Sequence, residues 1–127
     1  MSEDFERRFG GLRRLYGPAG AQRIFDAHVV VVGIGGVGSW AAEALARSGV
    51  SRISLIDMDH VAASNINRQI HASEATLGMA KVQAMRERIH SYHPSCVVDE
   101  VDAFVDPENW TTLLHDLGHR PDGVIDA

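Results

Sequence analysis

The chain has 127 residues, 45% of them hydrophobic and 23% charged, the balance of one globular domain with a moderate core. A net charge of −5 argues against a general nucleic-acid binder, because sequence-independent binding needs lysine and arginine to neutralise phosphates. A lone cysteine, Cys96, excludes an intrachain disulfide and a cysteine-rich zinc site. The apolar runs are of strand length and Met1-Ser2-Glu3-Asp4 is no secretory leader, so the expected compartment is the cytoplasm, without a membrane partner.

In chain order, the arginines Arg7, Arg8, Arg13 and Arg14 come first as a basic face. Pro18, behind the break at Gly17, opens a short helix through Ala21, Ile24 and Phe25. Residues 1–27 thus read as a helical arm ahead of a nucleotide-binding unit at 28–127. Val29-Val30-Val31-Val32 is a buried strand that runs into Gly33-Ile34-Gly35-Gly36-Val37-Gly38, and an alanine-rich helix follows to about Arg47, where Gly49 stops it. Strand, glycine turn and helix in this order form a phosphate site: glycine lets the backbone come close, and the free N–H groups at the positive end of the helix hold the charge. Gly33, Gly35, Gly36 and Gly38 are therefore ligand-binding candidates. The doubled glycine at Gly35-Gly36 departs from the dinucleotide fingerprint.

Arg52 to Asp57 reads as a second buried strand with an acid at its carboxyl end, where a carboxylate accepts hydrogen bonds from a ribose. The segment after it, through Gln69, is dense in hydrogen-bonding groups. Arg68 offers a planar fork of donors suited to phosphate, with Asn65, Asn67 and Gln69 as neutral donors beside it. Asn65 and Asn67 also suit turns, and Asp59 fits either a structural hydrogen bond or a nucleotide contact. Lys81 opens the next helix, whose apolar positions are Val82, Met85 and Ile89. A cation there opposes the helix dipole by roughly 0.3–1 kcal/mol, so Lys81 makes sense if an anion occupies the same space.

Cys96 to Val101 is a third strand, with Cys96 as a small buried side chain. Asp106-Pro107-Glu108 marks a helix start, and Trp110, Leu113, Leu114 and Leu117 line its apolar face. Gly123 to Ala127 begins a fourth strand. This alternation predicts an α/β fold with a doubly wound, mostly parallel sheet, here the first half of one. His90 with His93, and His115 with His119, have helical spacing but lack an added acid or cysteine ligand, so no metal site is expected there.

Together, the glycine turn, Asp57-Met58-Asp59, Ser64 to Gln69 and Lys81 resemble the adenylating domain shared by the molybdopterin- and thiamine-synthesis activators and the ubiquitin-activating enzymes. Arg8-Phe9-Gly10-Gly11, Leu15-Tyr16-Gly17, the helix Gly38 to Arg47, and Asn67 to His71 are similar to the tRNA threonylcarbamoyladenosine dehydratase branch, and the resemblance runs from about Phe5 to the end of the chain. It implies a Rossmann-like fold and ATP-dependent adenylation of a carboxylate, with tRNA as substrate and a homodimer as the assembly. It also implies that Arg68 and Lys81 act on the phosphates. An N-terminal arginine reaches across from the partner subunit in the wider superfamily, and Arg8 and Arg13 are the candidates here, although Gly10-Gly11 departs from that pattern. The magnesium-holding aspartate of the family is expected beyond the end of this chain, and Asp126 is not assigned that role. Three other readings stay open. They are adenylation of a ubiquitin-like sulfur carrier, with a carrier or cysteine-desulfurase-type partner; an NAD-binding oxidoreductase half-domain; and an inactive truncated fragment.

Overall fold

A computed structural model of the chain describes residues 2–127. At its centre is an all-parallel sheet of β1 (His28–Val32), β2 (Arg52–Ile56), β3 (Val97–Val101) and β4 (Gly123–Asp126), in the spatial order β3-β2-β1-β4. Val31 lies opposite Leu55 and Ile125, so the strands are in register across the sheet. The direction of winding reverses between β1 and β4. In such sheets a ligand crevice opens at that point, outside the carboxyl ends of the strands.

Helices α1 (Glu3–Phe9) and α2 (Leu12–Phe25) precede the sheet. Ser2 caps α1 by accepting the Phe5 N–H at 3.1 Å. Within α2, Gly17 takes φ 75° and ψ 166°, so the helix breaks there and restarts at Pro18, as the sequence predicts. Phe5 packs edge-on against Phe9 and Phe25, with ring centroids 4.9 and 5.1 Å apart. Gly49, at φ +81°, ends the next helix under these rings, where a Cβ would press into Phe25 and Phe9.

Helices α3 (Gly38–Arg47) and α4 (Lys81–His90) cover one face of the sheet. Because strand side chains alternate, Val31, Ile53 and Leu55 meet Ala42 and Ala46 of α3 and Val82, Met85 and Ile89 of α4 in one dry core. Each large side chain buried there contributes roughly 1.5–3 kcal/mol. Cys96 belongs to this core as expected, and burial pushes its thiol pKa up to about 12.

The opposite face is polar at its lower end. His28 Nε2 lies 2.7 Å from Ser54 Oγ, Ser54 donates to Asp99 at 2.6 Å, and Asp99 pairs with Arg52 at 2.9 and 3.0 Å. Arg52 also donates to the Leu117 carbonyl, and the Asp122 carboxylate accepts the His28 N–H, which ties the segment leading into β4 to the sheet. Helix α5 (Trp110–Asp116) begins a turn later than the sequence predicts. Asp106 Oδ1 accepts the N–H groups of both Glu108 and Asn109 at 2.8 Å, which closes a non-helical turn first. Trp110, Leu113, Leu114 and Leu117 are half-buried on the expected face. No helix among the described residues is long and apolar enough to cross a membrane.

Candidate functional site

The four glycines of the turn after β1 divide into two pairs. Gly33 has φ +86° and a Cβ there would run into the Ala127 carbonyl, while a Cβ on Gly38 would overlap the Gly33 carbonyl oxygen. These two are glycine so that strand and helix can close on each other. At Gly35 and Gly36 an added Cβ would meet only the Gln69 amide and the Arg68 side chain, each no closer than 3.8 Å. Among the described residues, the N–H groups of Gly35, Gly36, Val37 and Gly38 donate to no acceptor. Four free donors at the positive end of a ten-residue helix are the kind of arrangement that can hold an anion.

Asp57 follows β2 directly. Its Oδ2 accepts the Ile34 N–H of the glycine turn at 2.7 Å and its Oδ1 accepts the Asp59 N–H at 2.8 Å. Each oxygen keeps lone-pair capacity for a second donor. The exposed Asp59 side chain has no partner, and its carbonyl accepts the Lys81 N–H at 3.0 Å, which brings the start of α4 to the end of β2.

The polar segment folds over the glycine turn. Buried Asn65 closes a 3-10 turn by accepting the Ala62 N–H at 2.8 Å, so its side chain is spent on the backbone. Exposed Arg68 donates to the Ser64 carbonyl at 2.9 Å and to Asn67 at 3.1 Å, and its stem passes over Gly36. Trp40 Nε1 donates to the Arg68 carbonyl at 2.8 Å, and Ser39 Oγ accepts the Ile70 N–H at 3.4 Å, so the first turns of α3 hold the segment down.

Three buried polar groups in this neighbourhood are unmatched. Lys81 is 7% exposed, and its side chain has no hydrogen bond or ion pair among the described residues. Gln69 Oε1 and His71 Nδ1 are buried without a partner. His71 Nε2 contacts the Ile34 carbonyl at 2.8 Å. Burial lowers the His71 pKa, the Ile34 carbonyl and Asp57 oppose that shift, and Lys81 adds to it. The Lys81 stem is buried while its ammonium has no counter-charge within ion-pair distance, and an anion would match it.

Arg8 and Arg13 lie elsewhere. Arg8 reaches the Tyr92 carbonyl at 3.5 Å, and Arg13 pairs with Glu6 and lies over the Phe25 ring. Both sit at the amino end of the sheet, a five-residue strand or roughly 16 Å from the glycine turn of the same chain. His90 and His93 turn to the carbonyls of Cys96 and Val50, and His119 meets His28. An open cleft of about 570 Å³ adjoins the turn, lined by Val32, Trp110, Val124 and Asp126 among others. Nothing local in the sequence marks His71, Ser39 or Trp40 as functional, because their bonds reach across 28 to 37 residues.

Known proteins resemble this chain in sequence and fold. The ThiF family profile matches residues 7–127. The tRNA threonylcarbamoyladenosine dehydratase of Escherichia coli K12 is 56% identical over 109 residues, covering 86% of this chain and 41% of that protein. Its Haemophilus influenzae namesake is 48% identical over 125 residues, 98% of this chain and 47% of that protein. The molybdopterin-synthase adenylyltransferase of Salmonella typhimurium is 38% identical over 100 residues, 79% of this chain and 39% of that protein. The crystal structure of the E. coli tRNA N6-threonylcarbamoyladenosine dehydratase in complex with ATP superposes with a TM-score of 0.91 at 52% identity, over 99% of this chain and 51% of that one. Its AMP complex gives 0.92 at 52% identity, over 98% and 50%. The fold is thus Rossmann-like, and the chain spans about half the length of the relatives it matches.

Proposed function

Because the chain belongs to the ThiF family, we propose that it forms the ATP-binding first half of an adenylating enzyme that acts on the threonylcarbamoyladenosine of tRNA. Residues 1–27 serve as a helical arm and 28–127 as the nucleotide-binding unit. The observation that carries the reading is Lys81, a largely buried side chain whose ammonium has no ion-pair partner, beside a helix end with free N–H groups. An NAD half-domain gives no reason for that lysine or for Arg68.

In the proposed reaction the threonyl carboxylate attacks the α-phosphorus of ATP and pyrophosphate leaves. The acyl group of the resulting adenylate is then closed by an internal nucleophile with loss of AMP, so that one water is removed overall. The N–H groups of Gly35 to Gly38 hold phosphate oxygens, Gln69 and Asn67 border them, and Asp57 accepts from the ribose hydroxyls with its remaining lone pairs. Arg68 exchanges its bonds to Ser64 and Asn67 for phosphate, and Lys81 neutralises the charge that develops. Magnesium is proposed as the ion that accompanies ATP; no group of three His, Cys, Asp or Glu side chains that could hold a metal gathers among the described residues. The same reading gives a cytoplasmic homodimer in which Arg8 or Arg13 serves the partner's nucleotide. The molybdopterin-synthase relative, at 38% identity, keeps a sulfur-carrier acceptor as the second reading.

Calorimetric titration with Mg·ATP and with NAD tests the nucleotide. The expected result is binding of ATP alone, weakened about ten- to a hundredfold in Arg68→Ala, the worth of a charge-assisted hydrogen bond. Selective NAD binding, or an unaffected Arg68→Ala, would overturn it. For the acceptor, pyrophosphate exchange by the longer polypeptide should depend on threonylcarbamoylated tRNA, and dependence on a sulfur-carrier C-terminus would favour the second reading.

A further inference from the structure

Ile34 is fully buried, and the polar groups on both sides of its Cα are held by side chains from other elements. Its N–H donates to Asp57 Oδ2 at 2.7 Å, and its carbonyl faces His71 Nε2 at 2.8 Å. A carbonyl is only an acceptor, so His71 Nε2 must carry the proton, and Nδ1 is the bare, unpartnered nitrogen. The peptide between Ile34 and Gly35 is trans and planar, so its N–H points opposite to its carbonyl. With the carbonyl drawn to an imidazole that is 3% exposed, the Gly35 N–H is aimed out of the core.

We infer that His71 is a positioning residue: together with Asp57 it fixes the two peptide units flanking Ile34 and thereby orients the free N–H groups of the glycine turn toward an anion. The inference rests on the nucleotide reading for the identity of that anion, but the clamp is a property of the ligand-free chain. His71 touches no phosphate in this account. It acts through the backbone, and a side chain that restores the same hydrogen bond restores the function. In glutamine the amide nitrogen stands the same number of bonds from Cβ as Nε2 does in histidine, whereas in asparagine it falls one bond short. His71→Gln and His71→Asn therefore differ in reach and little in polarity.

The test combines three readings on the 127-residue chain. Nitrogen-15 NMR of the wild type should show the Nε2-protonated tautomer of His71. Amide exchange at Ile34, referred to Val31 of β1 as a gauge of overall stability, should be about tenfold faster in His71→Asn and near wild type in His71→Gln, the loss expected for one hydrogen bond. Calorimetry with Mg·ATP should show the same split, about tenfold weaker binding for asparagine and near wild-type binding for glutamine. A proton on Nδ1, exchange at Ile34 that moves only in step with Val31, or equal ATP affinities in the two variants would each overturn the assignment. If the wild type binds no Mg·ATP, the nucleotide reading fails, and the tautomer and exchange readings still decide the clamp.

Discussion

The two ends of one sheet treat buried polar groups differently. At the amino end, His28, Ser54, Asp99 and Arg52 form a continuous chain of hydrogen bonds, and buried Glu43 is held by Arg47 at 2.7 Å, by Arg88 at 2.8 Å and by the Tyr92 hydroxyl at 3.1 Å. His93 Nδ1 is the one unpartnered buried side-chain atom there among the described residues. At the carboxyl end, the Lys81 side chain, Gln69 Oε1 and His71 Nδ1 have no partner, and beside them lie the free N–H groups of the more exposed glycine turn. Polar groups that serve the fold are matched within it, because an unmatched one costs roughly 1–3 kcal/mol. On the proposed reading, the cluster of unmatched groups at one end is where a ligand completes the structure.

Substitutions at the two ends should separate stability from binding. The largest loss of stability is expected inside the turn itself. Gly38→Ala, whose Cβ overlaps the Gly33 carbonyl, should cost about 3 kcal/mol or more in denaturant unfolding, whereas Gly36→Ala should unfold like the wild type and lose Mg·ATP affinity. Equal effects on unfolding would break the division between packing and ligand-facing glycines. Next comes the amino end. Glu43→Gln leaves Arg47 and Arg88 without their carboxylate and should cost about 1–3 kcal/mol, with no change in ATP affinity.

The most gradual effect is a pH dependence. His28, His71 and His93 have pKa values below the ordinary 6.5, chiefly because burial penalises the charged ring. The unfolded chain thus binds more protons than the folded one as pH falls below about 6.5. Stability is full above that pH and falls beneath it, by up to about 1.4 kcal/mol per pH unit for each histidine. Burial raises the Glu43 and Asp99 pKa values, but hydrogen bonds from Arg88 and Arg47, and from Arg52 and Ser54, outweigh it, so both end below the ordinary range. Their contribution is present at neutral pH and disappears only when the pH falls below about 4. Thermal midpoints measured from pH 8 to pH 3 should fall in two stages, and a flat profile between pH 7 and 5 would contradict the histidine part.

Much of the scaffold was legible because its signals are local. The apolar run before Gly33, the break at Gly17, the stop at Gly49 and the periodicity after Lys81 each declare an element within a few residues, and the predicted strands match β1 to β4 to within a residue at either end. The start of α5 was misplaced because Asp106 spends its carboxylate on a turn, which competes with the helix for the same N–H groups. In the site, the unfavourable dipole position of Lys81 already pointed to an anion, and its burial strengthens that reading. The contacts of His71 with Ile34, of Asp57 with the same residue and of Trp40 with Arg68 join segments 23 to 37 residues apart. Neither propensity nor spacing encodes such pairs. The separation of Gly33 and Gly38 from Gly35 and Gly36 likewise depends on which atoms crowd each Cα.

The most direct test of the claim that the carboxyl end is an unfilled anion site is a paired measurement on Lys81→Met, a swap close in volume that removes the unmatched charge. The expected outcome is a thermal midpoint equal to or above that of the wild type, because no partner is lost, together with at least about a hundredfold weaker binding of Mg·ATP in calorimetry. A variant that is destabilised yet binds Mg·ATP as tightly as the wild type would show that Lys81 serves the fold and not a ligand, and the account would fail.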